Sequence, residues 1–139
     1  MPATLYRATV ERIDSLSYNV RGFHVKLAEP PKIEFKAGQF IILNAPHEGK
    51  TVKRAYSIAS PPHEPYSLDL CIQHVESGIA STYFWKLQEG DAVSISGPHG
   101  NFLLKEPLDY EPVFIATGTG IAPLRAMIRH LFHINFTKP

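Results

Sequence analysis

The sequence predicts a mainly β fold, a barrel or a sandwich, followed by the opening strand and helix of an α/β unit. Six short segments with strand-like patterns occupy the first two-thirds of the chain, separated by glycine, proline and other turn-forming residues. After Pro112 the pattern changes to a short apolar run, a glycine-rich turn and an amphipathic helix. The length of 139 residues suits one domain of ordinary size.

The six predicted strands differ in pattern. Leu5–Ile13 and Val20–Leu27 alternate apolar and polar residues, as expected where one face of a strand is buried. The other four are bounded by turn-forming residues and are Gln39–Asn44, Val52–Ser60, Ser67–Val75 and Ala92–Ser96. Within this barrel region one helix is predicted, over Ser77–Leu87, where apolar residues recur at three- and four-residue spacing.

The last part of the chain has the pattern of a βα unit. Val113–Ala116 is a wholly apolar strand, Thr117–Gly120 is a glycine-rich turn, and apolar residues of the following helix share one face. One strand and one helix cannot cover their own apolar faces. We therefore expect residues 113–132 to dock on the barrel, to pair with a second copy of the chain, or to remain partly disordered.

Composition excludes several classes of function. A formal net charge of +1 and the lack of a basic stripe argue against nucleic acid as a partner. The single cysteine excludes an internal disulfide and a cysteine-ligated iron–sulfur cluster, and the seven histidines lack metal-ligand spacing, so no metal site is expected. Without a long apolar segment we expect no membrane insertion and a cytoplasmic setting.

The first motif with chemical potential is Arg54-Ala55-Tyr56-Ser57, at the end of a predicted strand. In an extended strand Arg54 and Tyr56 share one face, and Ala55 and Ser57 share the other. Arginine offers a planar set of donors that suits phosphate oxygens, and tyrosine offers a flat ring for stacking. The motif predicts a grip on a diphosphate and a flat ring; the alternative is a plain strand with an exposed arginine and a packed tyrosine.

The second motif is the start of the predicted helix, Ser77-Gly78-Ile79-Ala80-Ser81-Thr82. Free backbone N–H groups and the helix dipole make such a start an anion site. The alternative is an ordinary helix cap, since serine is a good capping residue.

The third motif is Ala116-Thr117-Gly118-Thr119-Gly120-Ile121-Ala122-Pro123, which follows an apolar strand and opens a helix. That context is required of a loop that cradles phosphates. Pro123 replaces the third glycine of the usual fingerprint, although proline is favourable in a first helical turn. The alternative is a tight turn without a ligand.

In order and spacing, these motifs together resemble the ferredoxin–NADP reductase superfamily, from Tyr6 to about Phe132. The resemblance implies a six-stranded antiparallel Greek-key barrel that binds FAD, with one short helix, over residues 1–108. Residues 109–139 would then be the start of an NAD(P)-binding α/β domain that is cut short.

The resemblance also implies roles for individual residues. Arg54 would bind the FAD diphosphate, and Tyr56 and Ser57 would approach the flavin ring and its reactive edge. Thr117 would lie where nicotinamide meets flavin. The expected catalytic residues are therefore Tyr56, Ser57 and Thr117. The other implied cofactor contacts are Ala55, Gln73, His74, Val75, Gly78, Ile79, Ala80, Ser81, Thr82, Gly118, Thr119, Gly120, Ala122 and Pro123.

The implied activity is that of an NAD(P)H-dependent flavin oxidoreductase. Reducing equivalents would pass from NAD(P)H through flavin N5 to ferredoxin, flavodoxin or another acceptor, and this chain would be mainly the flavin-binding half. Two alternatives remain open: a non-enzymatic flavin-binding or interaction module, and a barrel for apolar ligands or oligonucleotides without a cofactor. The near-neutral charge disfavours an oligonucleotide.

Overall fold

The computed structural model describes residues 3–137 and divides them into six strands, two α-helices and one turn of 3₁₀-helix. The strands are β1 (Thr4–Ser17), β2 (Val20–Glu29), β3 (Phe40–His47), β4 (Lys50–Ser57), β5 (Ser67–Gln73) and β6 (Ala92–His99). The helices are α1 (Ile79–Lys86) and α2 (Ile121–His133), and the 3₁₀ turn is Gly118–Gly120. The predicted domain ranges 1–108 and 109–139 include residues 1–2 and 138–139, which lie outside the described residues.

All six strands predicted for the first part of the chain are confirmed, and they form one antiparallel sheet in the order β4-β3-β6-β1-β2-β5. β6 lies between β1 and β3, so strands that are distant in the chain become neighbours, as in Greek-key folds. The two edge strands meet where Ile58 and Leu70 form an antiparallel bridge. There the amide of Ala59 donates to the carbonyl of Asp69 at 2.8 Å, which closes the sheet into a barrel.

Alternate side chains of β1, β2, β3, β5 and β6 fill the barrel interior, which accounts for the periodicity of two in the sequence, whereas β4 contributes only the half-buried Tyr56. α1 covers one end of this core through Phe84, which is fully buried. Its ring meets Phe23 edge-on at 5.2 Å and Tyr56 at 5.6 Å between ring centroids. Burial of a phenylalanine side chain stabilises a fold by about 1.5–3 kcal/mol, so this contact fixes α1 to the barrel.

α2 docks on the outside of the barrel, which is one of the three outcomes expected for residues 113–132. A second apolar cluster joins Leu124, Ala126 and Met127 of α2 to Ala37, which precedes β3. The half-buried Phe114 packs against the same cluster. The apolar face predicted for this helix is covered in part: Leu124 and Leu131 are buried, whereas Ile121 is 44% exposed.

The strand predicted over Val113–Ala116 was wrong. These residues belong to no helix or strand of the described structure, and the side chains of Val113 and Ile115 are 82% and 87% exposed. A parallel strand is held by hydrogen bonds to neighbouring strands. No strand among residues 3–137 pairs with this segment, so it forms no strand, however strongly its side chains favour one.

Gly38 allows the close approach of the segment that leads from the barrel to α2. Its φ is +105°, and a Cβ there would lie 1.8 Å from the carbonyl oxygen of Phe102 and 2.6 Å from Cε of Met127. Gly90 has a similar φ of +95°, but a Cβ there would meet nothing within 4 Å. A side chain at Gly90 would therefore cause backbone strain alone, whereas a side chain at Gly38 would cause backbone strain and steric overlap.

We expect Gly90→Ala to lower the free energy of unfolding by about 1–2 kcal/mol through strain at positive φ alone. Gly38→Ala adds to that strain an overlap of backbone atoms, which raises the loss by about a further 1–3 kcal/mol. Urea unfolding of both variants measures the difference. Equal losses in the two variants would contradict the close approach at Gly38.

Candidate functional site

A cleft of about 640 Å³ opens beside the junction of β4 and β5. Beyond the Ile58–Leu70 bridge these two strands are not paired, and residues of both line the opening. The start of α1 and the start of α2 form the remaining walls. The lining residues are Arg54, Ala55, Tyr56, Ser57, Cys71, Gln73, Val75, Gly78, Ile79, Ala80, Ser81, Thr119, Gly120, Ala122 and Pro123.

Arg54 and Tyr56 place a cation next to an aromatic ring on the β4 wall. The guanidinium of Arg54 is exposed, and its Nη1 donates to the carbonyl of Lys53 at 2.8 Å, which leaves its other donors available. Burial raises the pKa of the Tyr56 hydroxyl, and the nearby charge of Arg54 offsets this only in part. Tyr56 is therefore neutral at physiological pH and can donate a hydrogen bond.

The loop before α1 forms a second polar wall. The helix begins after Gly78, and no side chain caps it, so the interpretation of Ser77 as an ordinary cap does not hold. Instead, the hydroxyl of Ser81 accepts from the amide of Val75 at 3.1 Å and lies 3.2 Å from the Val75 carbonyl, to which it can donate. The amides of the first turn thus keep free hydrogen-bonding capacity, which favours an anion at this position.

Gly78 lets the backbone fold closely enough for this arrangement. A Cβ at Gly78 would lie 2.7 Å from Oγ of Ser81 and 3.0 Å from the carbonyl oxygen of Val75. A side chain at Gly78 would therefore disturb the hydrogen bonds of Ser81 that hold the loop in place.

The 3₁₀ turn and the start of α2 form the opposite wall. Thr119, Gly120, Ala122 and Pro123 face the β4 wall across the cleft. Gly118 turns the chain with a φ of +54°. This glycine-turn motif and the Arg54–Ser57 motif therefore meet in one cavity, although about sixty residues separate them along the chain.

All but four of the predicted site residues line the cleft. His74 instead stacks near Trp85, with 5.1 Å between ring centroids, and Thr82 lines a neighbouring cavity. Thr117 and Gly118 precede the residues of the turn that reach the cleft. The roles of all these residues toward a cofactor stay predictions.

Cys71 lines the cleft but was missed by the sequence reasoning. It lies two residues before Gln73 on β5, so the two side chains share one face of the strand. The alternation along Ser67–Gln73 could have identified it. Burial raises the pKa of the Cys71 thiol, which keeps it protonated at neutral pH.

A smaller cavity of about 370 Å³ continues the cleft past the start of α1. Gly78 and Ile79 line both the cleft and the smaller cavity, so the cleft and the cavity meet at the start of α1. His47 at the end of β3 and Lys86 at the end of α1 border the smaller one. Together they form an elongated groove whose middle carries the free amides of α1, a shape that suits an extended ligand with a central anionic group.

Residues 3–137 contain neither a metal-ligand cluster nor a membrane-spanning helix. No cluster of histidine, cysteine, aspartate and glutamate in that range could hold a metal ion. Within the same range, neither helix is long and apolar enough to cross a membrane.

Comparison with known sequences identifies the barrel. The family described as the oxidoreductase FAD-binding domain matches residues 7–103. The phenol hydroxylase P5 protein of Acinetobacter pittii is 41% identical over 127 residues, which cover 91% of this chain and 35% of that protein. Ferredoxin–NADP reductase B of Sorangium cellulosum is 39% identical over 124 residues, covering 89% of this chain and 51% of that protein. The chain thus spans only part of the length of these curated relatives.

Solved structures agree with the sequence comparison. A cytochrome P450 reductase from Amycolatopsis superposes with a TM-score of 0.82 and 34% sequence identity, covering 94% of this chain and 40% of that one. A ferredoxin NADP⁺ reductase from Neisseria gonorrhoeae with bound FAD and NADP superposes with a TM-score of 0.79 and 27% identity, covering 91% and 51%.

Ser81→Ala tests the support of the loop before α1. Ser81 is 5% exposed, and its loss leaves the amide of Val75 without its partner, so we expect the free energy of unfolding to fall by about 1–2 kcal/mol. Thr82→Ala is the matched control, because Thr82 joins the helix through its backbone amide, 3.0 Å from the carbonyl oxygen of Gly78. Denaturant unfolding measures both, and a Ser81 variant as stable as the control would contradict this role.

Proposed function

The chain belongs to the oxidoreductase FAD-binding domain family, and from this premise we propose that it binds FAD in the cleft between β4, α1 and α2. We further propose that it is the flavin-binding half of an NAD(P)H-dependent electron-transfer oxidoreductase. The observation that carries the proposal is the convergence of three separate segments on one cavity: the Arg54–Ser57 strand, the uncapped start of α1, and the glycine turn.

The residues present fit FAD. Gly78 and Ile79 at the start of α1 line both cavities of the groove, with Arg54 and Tyr56 in the larger one and Tyr83 in the smaller one. A dinucleotide has the same order, a diphosphate between two ring systems. Gly78 lets the loop before α1 fold tightly beside the cleft, since a Cβ there would lie 2.7 Å from Oγ of Ser81.

Each wall then has a distinct task. Arg54 and the amides of Ile79 and Ala80 bind and orient the diphosphate, and Tyr56 covers a ring face while its neutral hydroxyl can donate a hydrogen bond. Ser57 lies at the point where the strands close, close to the reacting end in this proposal. When bound, FAD supplies the ability to accept a hydride and to pass electrons on singly or in pairs.

The nicotinamide half of the proposal rests on the opposite wall. Thr119, Gly120 and the α2 start border the cleft, and the neighbouring Thr117 and Gly118 would complete a loop for the NAD(P)H diphosphate. Residues 109–139 would open the domain to which that loop belongs, after a barrel domain over 1–108. The curated relatives are longer than this chain, so NAD(P)H use belongs to the proposal for the whole protein.

The acceptor is proposed from the relatives' names. These include a ferredoxin–NADP reductase and a reductase component of a phenol 2-monooxygenase. Ferredoxin, flavodoxin or an oxygenase component is therefore the class of acceptor that we propose, in a cytoplasmic setting.

An interaction module is the second candidate, and one observation favours it. Val113, Ile115 and Phe132 are exposed apolar side chains on the segments that follow the barrel, and exposed apolar surface is a common feature of interfaces. Self-association through residues 113–132 belongs to this candidate.

Arg54→Ala tests the flavin site. We expect the dissociation constant for FAD to rise about 10- to 100-fold, because a charge-assisted contact to phosphate contributes about 1.5–3 kcal/mol. The melting temperature without FAD should stay unchanged, since Arg54 is exposed and, among residues 3–137, bonds only to the neighbouring Lys53 carbonyl. Flavin fluorescence titration and thermal unfolding measure the two quantities.

Lys53→Ala is the matched control for Arg54→Ala. Lys53 is an exposed cation on the same strand, but it does not line the cleft. We expect its FAD affinity to stay within about twofold of the unsubstituted chain, as is usual for screened surface charges. A chain that stays colourless with added FAD, or equal effects of the two substitutions, would overturn the proposal.

Self-association is tested with Ile115→Asp. If residues 113–132 pair two copies, the unsubstituted chain elutes earlier from a sizing column as its concentration rises, and the charge at Ile115 abolishes that shift. Tyr18→Asp is the control, because Tyr18 is 96% exposed and lies on the β1–β2 turn. A monomer at every concentration would count against the pairing.

A further inference from the structure

We propose that Arg125 is a positioning residue that holds the glycine turn against the barrel and so fixes the width of the cleft. Nη1 of Arg125 donates to the carbonyl of Ala59 at 2.7 Å and to Oδ2 of Asp69 at 3.0 Å. Ala59 and Asp69 belong to the place where the barrel closes. Arg125 therefore ties α2 to the best-fixed point near the site. The consequence for flavin rests on the proposed function.

The glycine turn has little else to hold it. No residue of Gly118–Gly120 is buried. The surroundings of Gly118 hold nothing within 4 Å of an added Cβ, and those of Gly120 hold only the side chain of Ala116 at 4.0 Å. The position of the turn consequently depends on the position of α2, which follows it directly. Whatever fixes the first turns of α2 also fixes Thr119 and Gly120 in the cleft wall.

Arg125 is the polar anchor of α2 that lies nearest to that wall. It follows Pro123, a cleft residue, by two positions. The other anchor, Arg129, is one helical turn farther on and binds Glu64 at 2.6 Å, while its Nη1 is 4.0 Å from Asp69 Oδ2. The apolar contacts of Leu124 and Met127 hold the helix on the barrel but impose less direction than a charged hydrogen bond.

Asp69 is itself held rigidly, so it can serve as a reference point. Its Oδ1 is 2.6 Å from Nδ1 of His24 on the neighbouring strand, and its amide donates to the hydroxyl of Ser60 at 3.1 Å. Burial would raise the pKa of Asp69, but the hydrogen bonds from His24 and Arg125 outweigh it and lower the pKa. The carboxylate is therefore charged at neutral pH.

The arrangement connects both walls through one strand. Asp69, Cys71 and Gln73 alternate along the outward face of β5, where Asp69 receives Arg125 and the other two line the cleft. A shift of α2 relative to β5 therefore changes the distance between the glycine turn and the barrel side of the cleft.

The test compares Arg125→Ala with Arg129→Ala by hydrogen exchange of the full chain without FAD. We expect amides of residues 117–122 to exchange about tenfold faster in Arg125→Ala, and less than about twofold faster in Arg129→Ala, because only the first substitution removes the anchor beside the turn. Arg125→Lys should restore part of the protection, since an ammonium can still reach one of the two acceptors. This readout is independent of flavin.

The second readout uses the same variants reconstituted with FAD. Arg125→Ala should alter the visible circular dichroism of the bound flavin, whereas Arg129→Ala should not. Equal exchange at residues 117–122 in the two alanine variants, or no recovery in Arg125→Lys, would overturn the positioning role. If Arg125→Ala does not fold, the comparison of Arg125→Lys with Arg129→Lys decides the same question. Absence of FAD binding by the unsubstituted chain would instead overturn the proposed function and the flavin consequence, and the exchange result would still decide the anchor.

Discussion

The structure depends most on the closure of its sheet between Ile58–Ala59 and Asp69–Leu70. Without that contact β4 and β5 would be free edges, and an open six-stranded sheet would expose unpaired backbone on both sides. Closure is also local. The strands meet over two residues on each side and are unpaired beyond them, so the same contact that completes the barrel creates the opening of the cleft. Stability and a binding site thus arise from one feature.

The helices use this framework in different ways. α1 is held on the barrel by Phe84, which is buried in the core. Its first turn faces the cleft and has no side-chain cap. The hydroxyl of Ser81 holds the loop before α1, and no side chain caps the helix. The backbone amides of its first turn therefore stay free. α2 places no side chain in the barrel core cluster. It is held by an apolar face and by two arginines, and it carries the glycine turn, which has few contacts of its own.

Much of the fold and most of the site could be predicted from sequence because both depend on local patterns. Alternation of burial along β1, β2 and β5 reflects one strand face on the core, and it was legible as a period of two. The residues within Arg54–Ser57 are neighbours in the chain, as are those within Gly78–Ser81, and each segment reaches the cleft as a unit. The four predicted residues that do not line it lie beside such units, where the turn of a single residue decides which way a side chain points.

The sequence by itself determined the strands of the barrel, both helices and the family, since each rests on the type and spacing of neighbouring residues. Only the tertiary structure decided that Val113–Ala116 forms no strand, because a strand needs a hydrogen-bonding partner and no strand of residues 3–137 pairs with this segment. It also decided that Cys71 joins the cleft and that Arg125 meets Asp69. Those contacts link residues far apart in the chain, and no spacing rule reports where a closed sheet brings them together.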